Sequence, residues 1–376
     1  MRMFLNDNNR QFYVLTIIVS ILVFFGLIIL LASTSFMGMV SYGDTFYFVK
    51  KQSLYLLTGI TVLIFVSQVD YKIWYKFAWP FYLFTIFLLL AIYIPGVGKE
   101  AGGARRWIVA GAFSLQPSDL ARLGVVILLA RLFSNRKDSS GKIYYLLAAI
   151  ISGIPALIIG MQPDFGTAIH LILVTLLIMV LAGMPFYYIG GLFVFLLPFF
   201  KTLVLDVPYR WSRIRAFLDP YEYRYEAAYQ LVASYKAFLA GGIWGKGLGE
   251  GLRRHNLQAR HTDFILAVIA EDIGFWGVVL TLILFFSMGV YVLYNLKKIS
   301  DTFSLFLGTG IILLFMLQAI INIAVSMGLM PVTGINLPLI SYGGTSLVTY
   351  MLMFGIVLNI LKNDQTIAVL SERKFK

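Results

Sequence analysis

The stretch FYVLTIIVSILVFFGLIILLA, Phe12 to Ala32, runs without a single charged side chain. A helix needs about 20 apolar residues to cross the hydrocarbon core of a bilayer, so this run is long enough to span. Arg2 and Arg10 precede it and no small-residue cleavage pattern follows, which reads as a retained first membrane helix rather than a removed signal peptide. Outward from it the pattern recurs near 53–69, 77–95, 119–134, 143–160, 167–183, 187–205, 264–294, 303–328 and 344–361. The expected fold is all-α: a polytopic integral membrane protein of about ten transmembrane helices, with 1–376 forming a single membrane domain. The run at 264–294 exceeds what one crossing needs, which predicts tilt or a helix projecting beyond the bilayer.

Composition leads the same way. Of 376 residues, 60% are hydrophobic and 13% charged, with a mean hydropathy of +0.84, whereas soluble domains average roughly 25% charged. The absence of Cys excludes a disulfide framework, a thiol nucleophile and a Cys-based metal site. The histidines at 170, 255 and 261 are too scattered to suggest a metal centre. A net charge of +12 does not point to nucleic acid, because most of the cations flank apolar runs, where membrane topology accounts for them. With both termini cytoplasmic, Arg2, Arg10, Lys72, Lys76, Arg131, Arg136, Lys137, Lys142, Lys297, Lys298, Lys362, Arg373, Lys374 and Lys376 lie inside. Short outer loops then hold mainly Lys50, Lys51, Lys99, Arg105 and Arg106. The long segment 206–263 falls outside, exempt from the rule by its length, and the amphipathic Tyr229–Leu239 within it suggests an interfacial or re-entrant helix. No internal repeat is evident, which counts against a standard secondary carrier.

Five polar clusters interrupt the apolar pattern. In the first, Arg105 and Arg106 beside Trp107 could grip a phosphate through charge-assisted hydrogen bonds, or bind lipid headgroups with Trp107 as an interface anchor. Gln116-Pro117-Ser118 follows, Ser118 reading as the N-cap of the next helix, and Asp119 and Arg122 are spaced to pair on that helix. The second, Gln162-Pro163-Asp164-Phe165-Gly166-Thr167, is either a turn whose Asp164 caps a helix or a carboxylate aimed at an outer cavity. In the third, Gly241–Gly251 with Lys246 at its centre, the spacing fits no nucleotide-binding fingerprint; flexible glycines there suit a mobile wall around a substrate. The fourth contains Asp263, in Arg260-His261-Thr262-Asp263-Phe264, a carboxylate at the edge of a low-dielectric region where burial would tune it toward a general base. Its alternative role is to cap the helix beginning at Phe264. Glu271 lies about two turns further along and, as an acid at membrane depth, is a candidate for function. The fifth is the Pro- and Gly-broken stretch Met330–Ser346, including Ser341 and Tyr342, which reads as a helix-breaking loop or the wall of a cavity.

Together these stretches resemble the SEDS family of shape, elongation, division and sporulation proteins, which includes FtsW and RodA. The resemblance covers nearly the whole chain and rests on Gly103–Ile108, Gln116–Asp119, Gln162–Thr167, Arg215–Pro220, His261–Phe264 and Leu337–Gly344, in that order. It implies a peptidoglycan glycosyltransferase that polymerises lipid II, a disaccharide-pentapeptide on undecaprenyl diphosphate, at the outer face of the bacterial cytoplasmic membrane. It also implies that Asp263 is the essential acid, that a class B penicillin-binding protein and other cell-wall or division proteins are partners, and that no cofactor is certain. A divalent cation could accompany the diphosphate. Arg105, Arg106, Arg210, Arg213 and Arg215 become candidates to stabilise the departing diphosphate. Trp107, Gln116, Ser118, Asp164, Lys246, His261, Thr262, Ser341 and Tyr342 become further substrate-site candidates, and Asp119, Arg122 and Glu271 candidates to shape the cavity. Phe217–Pro220 and Thr333–Pro338 look closer to the division and sporulation branch than to the elongation branch. Where the family usually has Pro-Glu before His-Thr-Asp, this chain has Gln258-Ala259-Arg260, and Asp119 and Arg122 stand where Glu and Lys are common. The alternatives are a lipid II flippase and a non-catalytic scaffold for the penicillin-binding protein.

Overall fold

The computed structural model describes residues 7–101, 104–111, 113–136, 141–191, 206–251 and 260–374. Helices α1 (Asp7–Tyr42), α2 (Tyr47–Gln68), the short α3 (Lys72–Lys76) and α4 (Ala78–Ala91) come first. A small antiparallel sheet follows, β1 (Gly98–Ala101), β2 (Ala104–Ala110) and β3 (Phe113–Leu115), in the order β1-β2-β3. Then come α5 (Pro117–Ser134), α6 (Lys142–Met161), α7 (Phe165–Leu181), α8 (Pro208–Leu218) and α9 (Tyr229–Gly241). The chain finishes with α10 (Ile265–Ile273), α11 (Phe275–Leu296), α12 (Thr302–Ser326) and α13 (Gly344–Lys374).

Among the described residues six helices are long and apolar enough to cross a membrane, and Ala78–Ala91 and Phe165–Leu181 are shorter apolar helices. The chain is therefore an all-α polytopic membrane protein. Most of the expected crossing at 187–205 lies outside the described residues. Helices α5, α12 and α13 form the centre, and α5 is buried along most of its length although it carries Asp119 and Arg122. Helix α13 packs chiefly on α2, at points where small residues let the backbones approach: a Cβ on Gly355 would sit 2.9 Å from the Leu63 carbonyl oxygen. Tyr291 Oη near the end of α11 donates to the Gln11 carbonyl near the start of α1 at 3.4 Å. That end of the bundle is termed the terminal face; α1 and α12 finish at the opposite end, the site face.

Two features differ from the sequence expectation. The run at 264–294 is not one long helix: Gly274, at φ 78° and ψ −159°, divides it into α10 and α11. A Cβ on Gly274 would lie 2.4 Å from the Gly245 amide nitrogen and 2.5 Å from the Ile243 carbonyl oxygen. The glycine-rich loop is thus packed against the break, with Gly245 at φ 78°, Gly247 at φ 104° and Gly249 at φ 86°. The second is the sheet, since 98–115 reads in the sequence as an irregular polar loop. Its strands pair Gly98 with Ile108 and Ile108 with Leu115, supplying backbone partners where a loop would leave polar groups unsatisfied at the membrane edge.

Gly274→Ala forces a side chain into a conformation that costs about 1–3 kcal/mol in L residues, besides the two backbone clashes. Thermal unfolding of the detergent-purified variant is expected to begin several degrees lower; an unchanged midpoint would show that the break does not depend on glycine.

Candidate active site

The irregular segments flanking α10 and α13 meet on the site face. Thr262 offers its carbonyl to Ser341 Oγ at 2.6 Å, and Tyr342 N donates to the His261 carbonyl at 2.8 Å. Asn322 near the end of α12 donates its amide to the Asp263 and Ile335 carbonyls, both at 2.7 Å. Gln52 on α2 brackets the other edge, donating to the Ser341 carbonyl at 3.4 Å while its own oxygen accepts from Gly343 N at 3.3 Å. Backbone that cannot join a helix is therefore satisfied by side chains of the surrounding bundle, which is the condition for irregular chain at membrane depth.

This framework fixes Asp263. Phe264 is the N-cap residue of α10 and no side-chain cap bond is made, so the carboxylate is not consumed as a helix cap. It lies part-buried beside Gly334, whose Cβ position is 3.7 Å from Asp263 Oδ2. Burial pushes its pKa up to about 6; Arg213 opposes the rise, Asp164 adds to it, and a hydrogen bond with Thr262 and the charge of Arg106 oppose it more weakly. His261 packs on Phe48 with ring centroids 5.5 Å apart and on Tyr342 at 5.9 Å. Burial, and after it the Arg260 charge, push the imidazole down to about 4, so it is neutral at pH 7.

Strand geometry separates the paired arginines. Successive side chains of β2 point to opposite faces: Arg105 is exposed, 3.6 Å from Glu100, whereas Arg106 turns inward. Arg106 Nε donates to the Gln162 carbonyl at 3.1 Å, Nη2 donates to that of Pro163, and Nη1 lies 4.0 Å from Asp164. Asp164 caps α7 through Thr167 N at 3.4 Å and is itself buried, so the capping role is the one its contacts show. From α8, Arg213 donates to the Val332 carbonyl at 2.8 Å, and Arg210 stacks over Phe165 at 3.2 Å. These two are three residues apart on one helix face. Arg215 falls off that face and stacks on Tyr223 at 5.4 Å.

Other candidates lie elsewhere. Trp107 pairs with Lys99 within the sheet. Gln116, not Ser118, is the N-cap of α5, because Pro117 occupies the first helical position, where its missing N–H costs nothing. Ser118 is buried one residue further in, with no hydrogen-bond partner for its hydroxyl among the described residues. Glu271 is buried at the far end of α10, about 12 Å of helix rise from Asp263, and its carbonyl accepts from Lys246 N at 2.9 Å. The glycine-rich loop therefore closes that end of α10, and the Lys246 side chain is exposed. Among the described residues no three His, Asp or Glu gather as a metal site.

Asp119 and Arg122 pair as the sequence suggests, at 2.5 Å, but inside the bundle. Arg122 Nη1 also donates to Gln318 at 2.5 Å and to His170 Nδ1 at 3.2 Å. Arginine cannot accept, so His170 carries its hydrogen on Nε2, which donates to the Leu314 carbonyl at 3.1 Å. Tyr350 donates to Gln318 at 2.6 Å, and Gln318 passes its own amide hydrogens to Asn336, at 3.0 and 2.8 Å. The network thereby ends on the loop that carries Ser341. Gln52, Phe48 and Tyr350 escaped the sequence reading; a lone glutamine opening an apolar run was the available signal for Gln52.

The fold and site define a class: a membrane-spanning protein with a carboxylate and inward-facing arginines gathered at one face of the bundle. Residues 12–366 match the model of the cell cycle protein family of FtsW, RodA and SpoVE, and the chain belongs to that family. It is 38% identical over 346 residues to a probable peptidoglycan glycosyltransferase FtsW of Geobacter sp. (strain M18), covering 90% of this chain and 94% of the relative. It is 34% identical to the stage V sporulation protein E of Bacillus subtilis (strain 168), covering 92% and 95%. Among solved structures, a chain from a peptidoglycan synthase complex that coordinates polymerization and crosslinking superposes with a TM-score of 0.78 at 27% identity, covering 94% of this chain and 98% of that one. The rod shape determining protein RodA of Thermus thermophilus gives 0.70 at 25% identity, covering 94% and 97%.

Removing one partner from a buried pair costs about 3–5 kcal/mol, because a charge is left uncompensated. Arg122→Leu is expected to destabilise the purified protein severely, and Asp119→Leu combined with it to recover much of the loss. Equal thermal unfolding midpoints for the single and double variants would show that the pair is not coupled.

Proposed function

We propose that this chain is a peptidoglycan glycosyltransferase that polymerises lipid II, with Asp263 as general base and release of undecaprenyl diphosphate. The observation that carries the reading is the state of Asp263: not spent on a helix cap, raised by burial to about 6, and set among the charges of Arg213, Asp164 and Arg106. A base poised near the working pH combines useful ionisation with proton affinity. The activity named for the similar FtsW proteins supports the same reading.

In the reaction the acceptor sugar hydroxyl attacks the anomeric carbon of the donor, Asp263 Oδ takes the hydroxyl proton, and the bond to the lipid diphosphate breaks. Negative charge then grows on the leaving group, and preorganised cations stabilise it more in the transition state than before. Arg106, Arg213 and Arg210 face the site and supply that charge; a neutral His261 contributes shape and hydrogen bonding. The lipid tail stays among the helices. Lys72, Lys76, Arg131 and Arg136 belong to the terminal face, which the positive-inside rule assigns to the cytoplasm, leaving the site face outside. A class B penicillin-binding protein is the partner this reading calls for, in keeping with the similar chain's presence in a synthase complex.

Purified protein, alone and with its penicillin-binding protein, is to be incubated with labelled lipid II and the products sized. Wild type is expected to make glycan chains and Asp263→Asn none, with activity rising as pH increases through about 6, because only the ionised carboxylate accepts the proton. Polymer from the asparagine variant would remove the base assignment, and lipid II that changes leaflet as a monomer would favour a flippase. Loss of a preorganised transition-state donor costs about 10²–10³ in rate; Arg106→Ala is expected to approach that while Arg105→Ala stays close to wild type. Equal kcat/KM losses for the two would contradict the division of labour across β2.

A further inference from the structure

On the terminal face, far from Asp263, a recess of about 430 Å³ is lined by Lys72, Tyr75, Lys76, Ser134, Asn135 and the start of α12 at Asp301–Phe303. Its floor is rigidly built. Tyr71 N donates to Asn359 Oδ1 at 2.8 Å and Lys72 N donates to Asp70 Oδ1 at 2.9 Å, which pins α3. Tyr75 is held from several sides: its ring meets Phe303 at 5.2 Å, its hydroxyl donates to Asn135 Oδ1 at 2.8 Å, and Arg131 stacks on it at 4.8 Å while donating to its carbonyl at 3.0 Å.

What remains unengaged is mostly donor. Lys72 and Lys76, one helical turn apart on α3, both line the recess, are exposed, and make no ion pair among the described residues. Asn135 accepts through its oxygen, leaving its amide hydrogens to a ligand, and Thr302 is part of the lining. Asp301 is the one acid in the lining, and its carboxylate is engaged by Ser304 N at 3.0 Å as the cap of α12. Two ammonium groups and neutral donors around a recess of this size call for a compact anion with several acceptor oxygens, which is the chemistry of a phosphate. Beside the lysines, Ile73, Phe77 and Trp79 are exposed at 40%, 55% and 48%, an apolar and aromatic strip of the kind that sits at a membrane interface.

We propose that this recess binds the phosphate of an anionic phospholipid from the leaflet at the terminal face, with the acyl chains along Ile73 and Phe77. The site joins α3 to the end of α5 and the start of α12, so an occupied recess ties α3 to two helices whose other ends hold Arg122, on α5, and Gln318 and Asn322, on α12. The charge complementarity and the adjoining apolar strip favour a lipid over a soluble anion. Nothing in this proposal depends on the glycosyltransferase reading.

The test titrates delipidated full-length protein in neutral detergent with short-chain phosphatidylglycerol, following bound lipid by native mass spectrometry and the thermal unfolding midpoint. Each basic side chain near a membrane surface contributes about fivefold to anionic lipid affinity, so Lys72→Ala with Lys76→Ala is expected to weaken binding about 25-fold and to abolish the rise in midpoint. Lys72→Arg with Lys76→Arg keeps the charge and is expected to retain most of both, which separates the site from a folding defect. Equal binding by wild type and the alanine variant, or an equal rise with phosphatidylcholine, would overturn the proposal. The same rise with inorganic phosphate or an acidic peptide alone would overturn the lipid as occupant.

Discussion

Asn322 gives one amide to two carbonyls, those of Asp263 and Ile335, each at 2.7 Å. Those carbonyls belong to the two stretches of chain, before α10 and before α13, that cannot be helical and yet lie against the membrane-spanning core. An unsatisfied carbonyl there costs several kcal/mol, so the position of the catalytic candidate is tied to the end of α12 by the same bonds that make its backbone tolerable. Ser341 repeats the device from the other side, accepting from Leu337 N at 2.9 Å while donating to Thr262. The site is rigid because its irregularity has to be accounted for atom by atom.

A second layer of polar contacts supports this one. Arg122, Gln318, His170, Tyr350 and Asn336 form a connected network in the centre of an otherwise apolar bundle. A charged pair in that position gains little stability over apolar packing and loses much when half is removed. Its geometric effect is specific: Gln318 can serve both Arg122 and Asn336 only when α5, α12 and the loop before α13 keep one register. The pair on α5 therefore acts on the site through the loop, without approaching Asp263 as a reactive group.

What the sequence disclosed follows from this arrangement. Apolar runs exposed most of the helices because lipid contact demands composition, and composition is local. The acids and arginines of the site were legible as charges where charge is expensive. The break at Gly274 was not, because an isolated glycine inside an apolar run is compatible with a helix until Gly245 and Ile243 are brought against it from a distant loop. The sheet at 98–115 was missed because three short strands carry little periodicity, although successive positions of β2 are what divide the exposed Arg105 from the inward-turned Arg106. Gln116 displaced Ser118 as cap because Pro117 fixes the first helical position, a case in which proline outranks the usual cap preference. In the long outer segment the amphipathic Tyr229–Leu239 marks the helix found as α9, whereas α8, which carries Arg210 and Arg213, was not anticipated; residues 252–259 lie outside the described residues.

With Asp263 as the proposed base, the charges around it have to satisfy two demands that oppose each other. A base needs a pKa raised toward neutrality, which burial and Asp164 supply, while a departing diphosphate needs cations, which depress the same carboxylate. The arrangement meets both because Arg106 is anchored on the Gln162 and Pro163 carbonyls with Asp164 at 4.0 Å, and Arg213 is anchored on Val332. Their positive charge is thus held by carbonyl oxygens, and among the described residues no salt bridge to Asp263 is formed. Were either arginine to close onto Asp263, the carboxylate would become a weaker base and the cation would be partly neutralised before the leaving group could use it. Keeping like and unlike charges close but separately anchored is therefore the feature on which the proposed chemistry of this face depends.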